Sequence, residues 1–267
     1  MPVLPDVPLP PLATSCALLL PHLPLDAAFS RWTALRLRGA ALPERWSDDC
    51  ALHVAVPPGT RIPRRRGVAA HTSSALLEPD AAATHLGLPV VTAAHAWAQL
   101  APVLGERDLL ELADALTAHR VAVTTRDELG GAVASMPTGS RGRRTAAAVA
   151  RSVLPGTCCP LQAATHRALH LGTLPRLRDL THRAAFGRQA GPLLGYPEHR
   201  LVLDCDAPQH ALEGRSALHV RTRRERLVEE GWVVLTVLPE DLHHHALRLR
   251  HRVRRALALA TRATPGS

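Results

Sequence analysis

The stretch RLVLD, Arg200 to Asp204, is where the fold class becomes readable. It is a short apolar run suited to a buried strand. A helical segment follows, Ser216 to Glu230, with Gly231 placed as its C-cap. WVVLTVL, Trp232 to Leu238, is a second, strongly β-prone run. Asp241 then stands where a cap would begin a last helix, whose Leu242, Ala246, Leu249, Val253 and Leu257 share one face. Strand, helix, strand, helix predicts an α/β layer with helices packed on a central sheet.

Working outward, Thr145 to Val153 and Pro160 to Leu171 read as helices, the second ended by Gly172 with Pro175 just beyond. Pro137-Thr138-Gly139-Ser140-Arg141-Gly142 reads as a linker. Ahead of it, Thr125-Arg126-Asp127-Glu128 has the spacing of a capping box, in which hydroxyl and carboxylate each satisfy a free N–H at a helix start. Thr92 is placed to cap a helix carrying Trp97, Leu100, Ala101 and Leu104, and a second helix spans Arg107 to His119. LHVAV, Leu52 to Val56, alternates like a strand and runs into the turn Pro57-Pro58-Gly59; a second strand is expected at Gly67 to His71. Ala27 to Arg38 suits a helix ended by Gly39, and the first dozen residues read as an extended Pro-rich arm. At about 100 to 200 residues per domain, a chain of 267 residues predicts two. We expect an α/β N-terminal domain over 1–140, a basic linker and helix over 141–157, and a second α/β domain over 158–260.

Composition is globular, with 46% hydrophobic and 21% charged residues, which excludes a disordered chain. All 32 basic residues are Arg, there is no Lys or Asn, and Ile62 is the sole isoleucine, as a GC-rich coding sequence would produce in any protein. The net charge of +9 is therefore less informative than its distribution. Residues 1–140 carry 11 Arg against 13 acids, whereas residues 141–190 carry 9 Arg against Asp179 alone. Such asymmetry points to a polyanion-facing region, with nucleic acid as the commonest partner; solvated Arg faces are the other reading.

Five Cys, at 16, 50, 158, 159 and 205, form no C-x-x-C pair, so neither a disulfide framework nor a zinc ribbon is expected. Adjacent Cys158 and Cys159 suit buried apolar packing better than joint ligation of one metal. The N-terminal stretch is apolar but lacks a basic start and is broken by Pro, which reads as neither signal peptide nor membrane span. The expected compartment is the cytoplasm.

The densest chemical cluster is Asp204-Cys205-Asp206 with His210 four residues later. Carboxylates at i and i+2 of a strand share a face, so Asp204 and Asp206 can converge on one hard cation such as Mg²⁺. Such an ion would lower the pKa of a bound water, and His210 would orient or deprotonate that water. The plainer reading is a strand end entering a turn, with His210 exposed. Among the other histidines, His243-His244-His245 point in different directions on a helix, which reads as a polar first turn. His166 and His170 lie i, i+4 on one helix face, but Arg167 stands where a metalloprotease motif needs Glu. Arg61 and Arg64 to Arg66 read as a phosphate-contacting loop or a solvated turn. The groups best placed for nucleic-acid backbone contacts are Arg141, Arg143 and Arg144 at the linker, with Arg151 nearby, and Arg221, Arg223 and Arg224, with Arg226, on the helix after Asp206.

Tyr196-Pro197-Glu198, the strand to Asp204, Asp206, His210, a basic helix, Gly231-Trp232 and Glu240-Asp241-Leu242 occur in a specific order. Over roughly Pro155 to Ala258 this resembles an actinobacterial endonuclease-like family related to the very-short-patch repair endonuclease, in the PD-(D/E)XK superfamily. Val56 to Thr60, Pro63 to Val68, Gly87 to Val90 and Thr92 to Trp97 resemble the region preceding that domain in AbiEi-type antitoxin or transcriptional-regulator proteins, whose winged-helix module has no counterpart here. The resemblance implies a restriction-endonuclease-like sheet flanked by helices, DNA as partner, and Mg²⁺ held by Asp204 and Asp206 if the site is active. It also implies an acid where this chain has Leu193, another where it has Gln162, a Gly where it has Ala207, and a lysine that a Lys-free chain lacks. The expectation is a DNA-binding protein with a degenerate nuclease fold; the alternative is a non-enzymatic antitoxin-like or regulatory module binding nucleic acid or a partner protein, without membrane or small-molecule cofactor.

Overall fold

The computed structural model describes residues 10–40, 42, 51–118, 122–154, 157, 160–170, 174–180, 193–205, 217–243 and 246–263. The chain divides into two compact units, Met1–Gly156 and Thr157–Ser267, each mixed α/β around its own open mixed sheet.

In the first unit, α1 spans Pro11–Leu19 and buries Ala13, Cys16 and Leu19. Part of the expected Pro-rich arm is thus helical. A proline in the first turn supports a helix start, because the N–H it lacks would have no partner there. After β1 (Ala28–Phe29) and α2 (Arg31–Leu37) come β2 (Leu52–Val56) and β3 (Val68–Thr72), parallel, with Leu52 opposite Val68. The strands β4 (Ala82–His85) and β5 (Leu88–Val91) form a hairpin closed by Leu86 and Gly87, both with positive φ, which is the conformation a two-residue turn requires. Sheet order is β3-β2-β1-β5-β4.

Four helices then build the core: α3 (Ala93–Ala98), α4 (Glu106–Thr117), α5 (Arg126–Ala134) and α6 (Arg143–Ser152). Thr92 caps α3, and the Thr125/Glu128 capping box closes reciprocally at α5, as their spacing predicts. Fully buried Trp97 packs in this core and donates its indole N–H to the Leu109 carbonyl at 3.0 Å. The expected boundary at 140 is corrected to 156: Ala146, Val149, Ala150 and Val153 are buried in the first core, so the segment 141–157 is largely one of its packed helices. The turn before α6 is equally fixed. Gly142 has φ +83°, and a Cβ there would lie 2.5 Å from the Ala101 carbonyl carbon.

In the second unit the order is α7 (Pro160–His170), β6 (Arg178–Asp179), β7 (Leu194–Tyr196), β8 (Leu201–Cys205), α8 (Ala217–Glu229), β9 (Val233–Val237) and α9 (Leu247–Ala263). The sheet runs β6-β7-β8-β9, antiparallel up to β8, with β9 parallel to β8 through the α8 crossover. Every residue of β8 is buried, and its side chains alternate between two clusters. Leu201, Leu203 and Cys205 pack with Leu161, Leu169, Leu249, Val253 and Leu257 of α7 and α9. Val202 packs with Leu180, Leu193 and Leu227 on the opposite face. Burying each such side chain contributes about 1.5–3 kcal/mol, which is what makes β8 the centre of this unit. Asp241 lies in a 3₁₀ turn, Pro239–Leu242, ahead of α9 rather than at its cap, because Ala246 at φ +56° re-aims the chain before Leu247.

Tyr196 is fully buried, its hydroxyl has no hydrogen-bond partner among the described residues, and burial pushes its phenol up to about 12. Tyr196→Phe removes that group without opening a large cavity. We predict urea-unfolding stability unchanged or raised by up to about 1 kcal/mol, against the loss that a satisfied buried hydroxyl would show.

Candidate functional site

Sequence-predicted residues form a set in each unit. In the second unit, the period of two along β8 sends Asp204 to the same side as Val202, toward α8. Asp204 is 3% exposed, so its charge needs compensation. Two consecutive arginines of α8 supply it. Arg223 Nη2 donates to Asp204 Oδ1, and Arg224 Nε donates to Oδ2 at 2.8 Å. Leu227, one turn beyond Arg223, is buried against the sheet, which holds this helix face inward. Arg221 faces the other way and pairs with Glu225 at 2.8 Å on the exposed surface; that hydrogen bond and charge raise its pKa further. The basic helix is therefore divided, with Arg223 and Arg224 engaged on a buried carboxylate and Arg221 outside.

The neighbours of Asp204 determine what it can bind. Leu194 pairs with Leu203 and Gly195 with Val202, so continuing the register sets Leu193 opposite Asp204 on the same face. The resemblance expects an acid at 193, and a leucine buried among Leu180, Val202 and Leu227 stands there instead. Gln162 is buried on α7, whose apolar residues Leu161 and Leu169 join the other cluster. Glu198 is exposed in the turn ahead of Leu201, about 10 Å of strand from Asp204. Asp206, His210 and Glu213 lie outside the described residues. The described residues do not fit a divalent cation: Asp204 already accepts from two guanidiniums, Leu193 offers no donor atom, and two adjacent positive charges repel a dication.

A second buried carboxylate repeats the motif. Asp241 accepts the Leu238 N–H at 3.1 Å and a hydrogen bond from Arg252 Nη1, whose Nη2 also donates to the Thr236 carbonyl at 2.9 Å. This triad ties α9 to β9 and is structural. His166 is half-buried on α7, and His244 and His245 lie outside the described residues, as do Cys50, Cys158 and Cys159. Cys16 and Cys205 are buried; the Cys205 thiol donates to Thr165 Oγ1 at 3.7 Å, and burial pushes the Cys16 thiol up to about 12.

In the first unit, Arg141, Arg143 and Arg144 surround the N-terminus of α6 and line a cavity of about 690 Å³ with Thr138, Ser140 and Thr145. Gly139 and Gly142 both have positive φ, so the chain turns tightly around the opening. The first turn of α6 has neither a side-chain cap nor an acidic residue, leaving the positive end of the helix uncompensated. Arg143 is half-buried and its Nε donates to the Val133 carbonyl at 3.4 Å, whereas Arg141 and Arg144 are exposed. This arrangement attracts an anion of phosphate type.

Moving the boundary also redistributes charge. The first unit carries 15 Arg against 13 acids and the second 17 against 10, so the excess is less one-sided than a division at 140 implies. No family model, curated protein or solved structure matches the chain. Sequence reading missed one polar group altogether, formed by Ser30, Arg31, His71 and Gln99. Their separation along the chain leaves no spacing signal.

Asp204→Ala strands two guanidiniums, one of them 15% exposed, and we expect it to lower stability by about 3 kcal/mol in urea unfolding. Replacing Asp204, Arg223 and Arg224 together by Leu, Met and Leu should recover most of that loss. Adding Mg²⁺ should leave the wild-type midpoint unmoved.

Proposed function

We propose that this is a DNA-binding protein of two domains, cytoplasmic, whose second domain is a restriction-endonuclease-like sheet that no longer hydrolyses DNA. The observation that carries binding is the cavity at α6, where Arg141, Arg143 and Arg144 converge on an uncapped helix start. Arg supplies a planar fork matched to phosphate, and backbone phosphates supply sequence-independent affinity. Exposed Arg221 and Arg226 on α8 are further candidates for backbone contacts.

The Arg223–Asp204–Arg224 triad speaks against hydrolysis. Both carboxylate oxygens that would hold Mg²⁺ accept hydrogen bonds from guanidiniums, and the position facing them across the strand pair is Leu193. This favours the non-enzymatic alternative, an antitoxin-like or regulatory module, over an active nuclease. Among the described residues no helix is long and apolar enough to cross a membrane.

Duplex-DNA affinity measured against salt tests binding. The wild type should lose affinity steeply as salt rises, and Arg141→Gln/Arg144→Gln should weaken binding across all sequences and flatten the log–log slope by about 2. A flat wild-type dependence, or no binding, counts against the reading. A plasmid-nicking assay with Mg²⁺ or Mn²⁺ tests the other half. No cleavage is expected, and cleavage that disappears in Asp204→Ala would restore the enzyme.

A further inference from the structure

The polar group in the first unit is assembled from distant parts of the chain. Ser30 and Arg31 join β1 to α2, His53 lies on β2, His71 on β3, and Gln99 at the end of α3. Ser30 is fully buried, and its hydroxyl lies 3.4 Å from His71 Nε2. The Gln99 amide donates to Ser73 Oγ at 3.0 Å, and the Gln99 side chain also lies against His71. Arg31, His71 and Gln99 each keep partial exposure, so the group is open to solvent.

Arg31 is the unusual member. Its Nε is buried without an acceptor, and among the described residues no carboxylate pairs with it. Other inward-facing guanidiniums of this protein have acceptors, carboxylates for Arg223, Arg224 and Arg252 and backbone carbonyls for Arg38 and Arg250. Arg31 also has φ +46°, a left-handed backbone that L side chains adopt at a cost. A strained residue presenting an uncompensated cation amid neutral polar groups is a poor structural choice and a suitable ligand contact. Burial first, then Arg31 and His53, push His71 down to about 4, so near neutral pH the imidazole is uncharged and leaves the guanidinium as the cation.

We propose that Arg31, with His71 and Gln99, binds a phosphate monoester or inorganic phosphate. The guanidinium supplies paired donors for the oxyanion, and the neutral imidazole lies beside it. The site is separate from the α6 cavity and does not rest on the DNA-binding reading.

Thermal unfolding of the full chain in phosphate, against chloride at matched ionic strength, tests it. Phosphate at about 10 mM should raise the wild-type Tm by about 3 °C or more. Arg31→Gly removes the guanidinium and suits φ +46°, so it should keep the wild-type Tm in chloride and lose the response to phosphate. In the wild type, the His71 ring resonances should shift with phosphate and stay fixed with chloride. A strand preferred when 5′-phosphorylated over its 5′-hydroxyl form, with the preference lost in Arg31→Gly, assigns the phosphate to a nucleic-acid end. Equal affinity for both strands, alongside the phosphate response, assigns it to a free small molecule. Static His71 resonances, no wild-type response, an equal response in Arg31→Gly, or a lower Tm of Arg31→Gly in chloride each overturn the proposal.

Discussion

A carboxylate at the inner end of a strand buried on both faces must find countercharge or lose its own, and in the second unit that constraint organises the structure around Asp204. Two neighbouring side chains of α8 meet it, one on each oxygen. The helix is thereby oriented over the sheet, with Leu227 packed beside Val202 and Leu193. Breaking a buried ion pair costs more than replacing it with apolar packing, so the triad specifies how α8 docks more than it adds net stability.

The same compensation rule separates the arginines into kinds. Arg223, Arg224 and Arg252 turn inward to buried carboxylates, and Arg221 pairs with a neighbour on the surface. Arg141 and Arg144 are exposed beside an uncapped helix start, and half-buried Arg31 has no carboxylate among the described residues. Counting basic residues treats them alike, whereas the electrostatic surroundings of each determine whether it is a structural tie or a contact for an external anion. Counting arginines therefore overstates how many the second unit can present to an external anion, since Arg223, Arg224 and Arg252 are engaged with internal carboxylates.

The α/β class, the buried strand expected at 200–204 and observed over Leu201–Cys205, the β9 strand, the Thr92 cap and the Thr125/Glu128 box were legible because each rests on residues close in sequence: an apolar run, or a hydroxyl three positions from its partner. The boundary was not. The composition of 137–142 resembles a linker, yet the burial of Ala146, Val149 and Ala150 against α4 and α5 makes α6 part of the first core. The β4–β5 hairpin escaped because Pro89 argues against a strand and Leu86 is an unusual residue for positive φ.

For the candidate site, the sequence alone located Asp204 at a strand end and grouped Arg141, Arg143 and Arg144, whereas Leu193 and Gln162 stood out only through the family resemblance. Tertiary structure decided the rest. Strand pairing set Leu193 against Asp204, the crossover helix brought Arg223 and Arg224 onto it, and chain folding gathered Ser30, Arg31, His71 and Gln99 into one group. The physical reason is that residue type and short-range spacing specify local hydrogen bonding and periodicity, while ion pairing and burial depend on which distant segments meet.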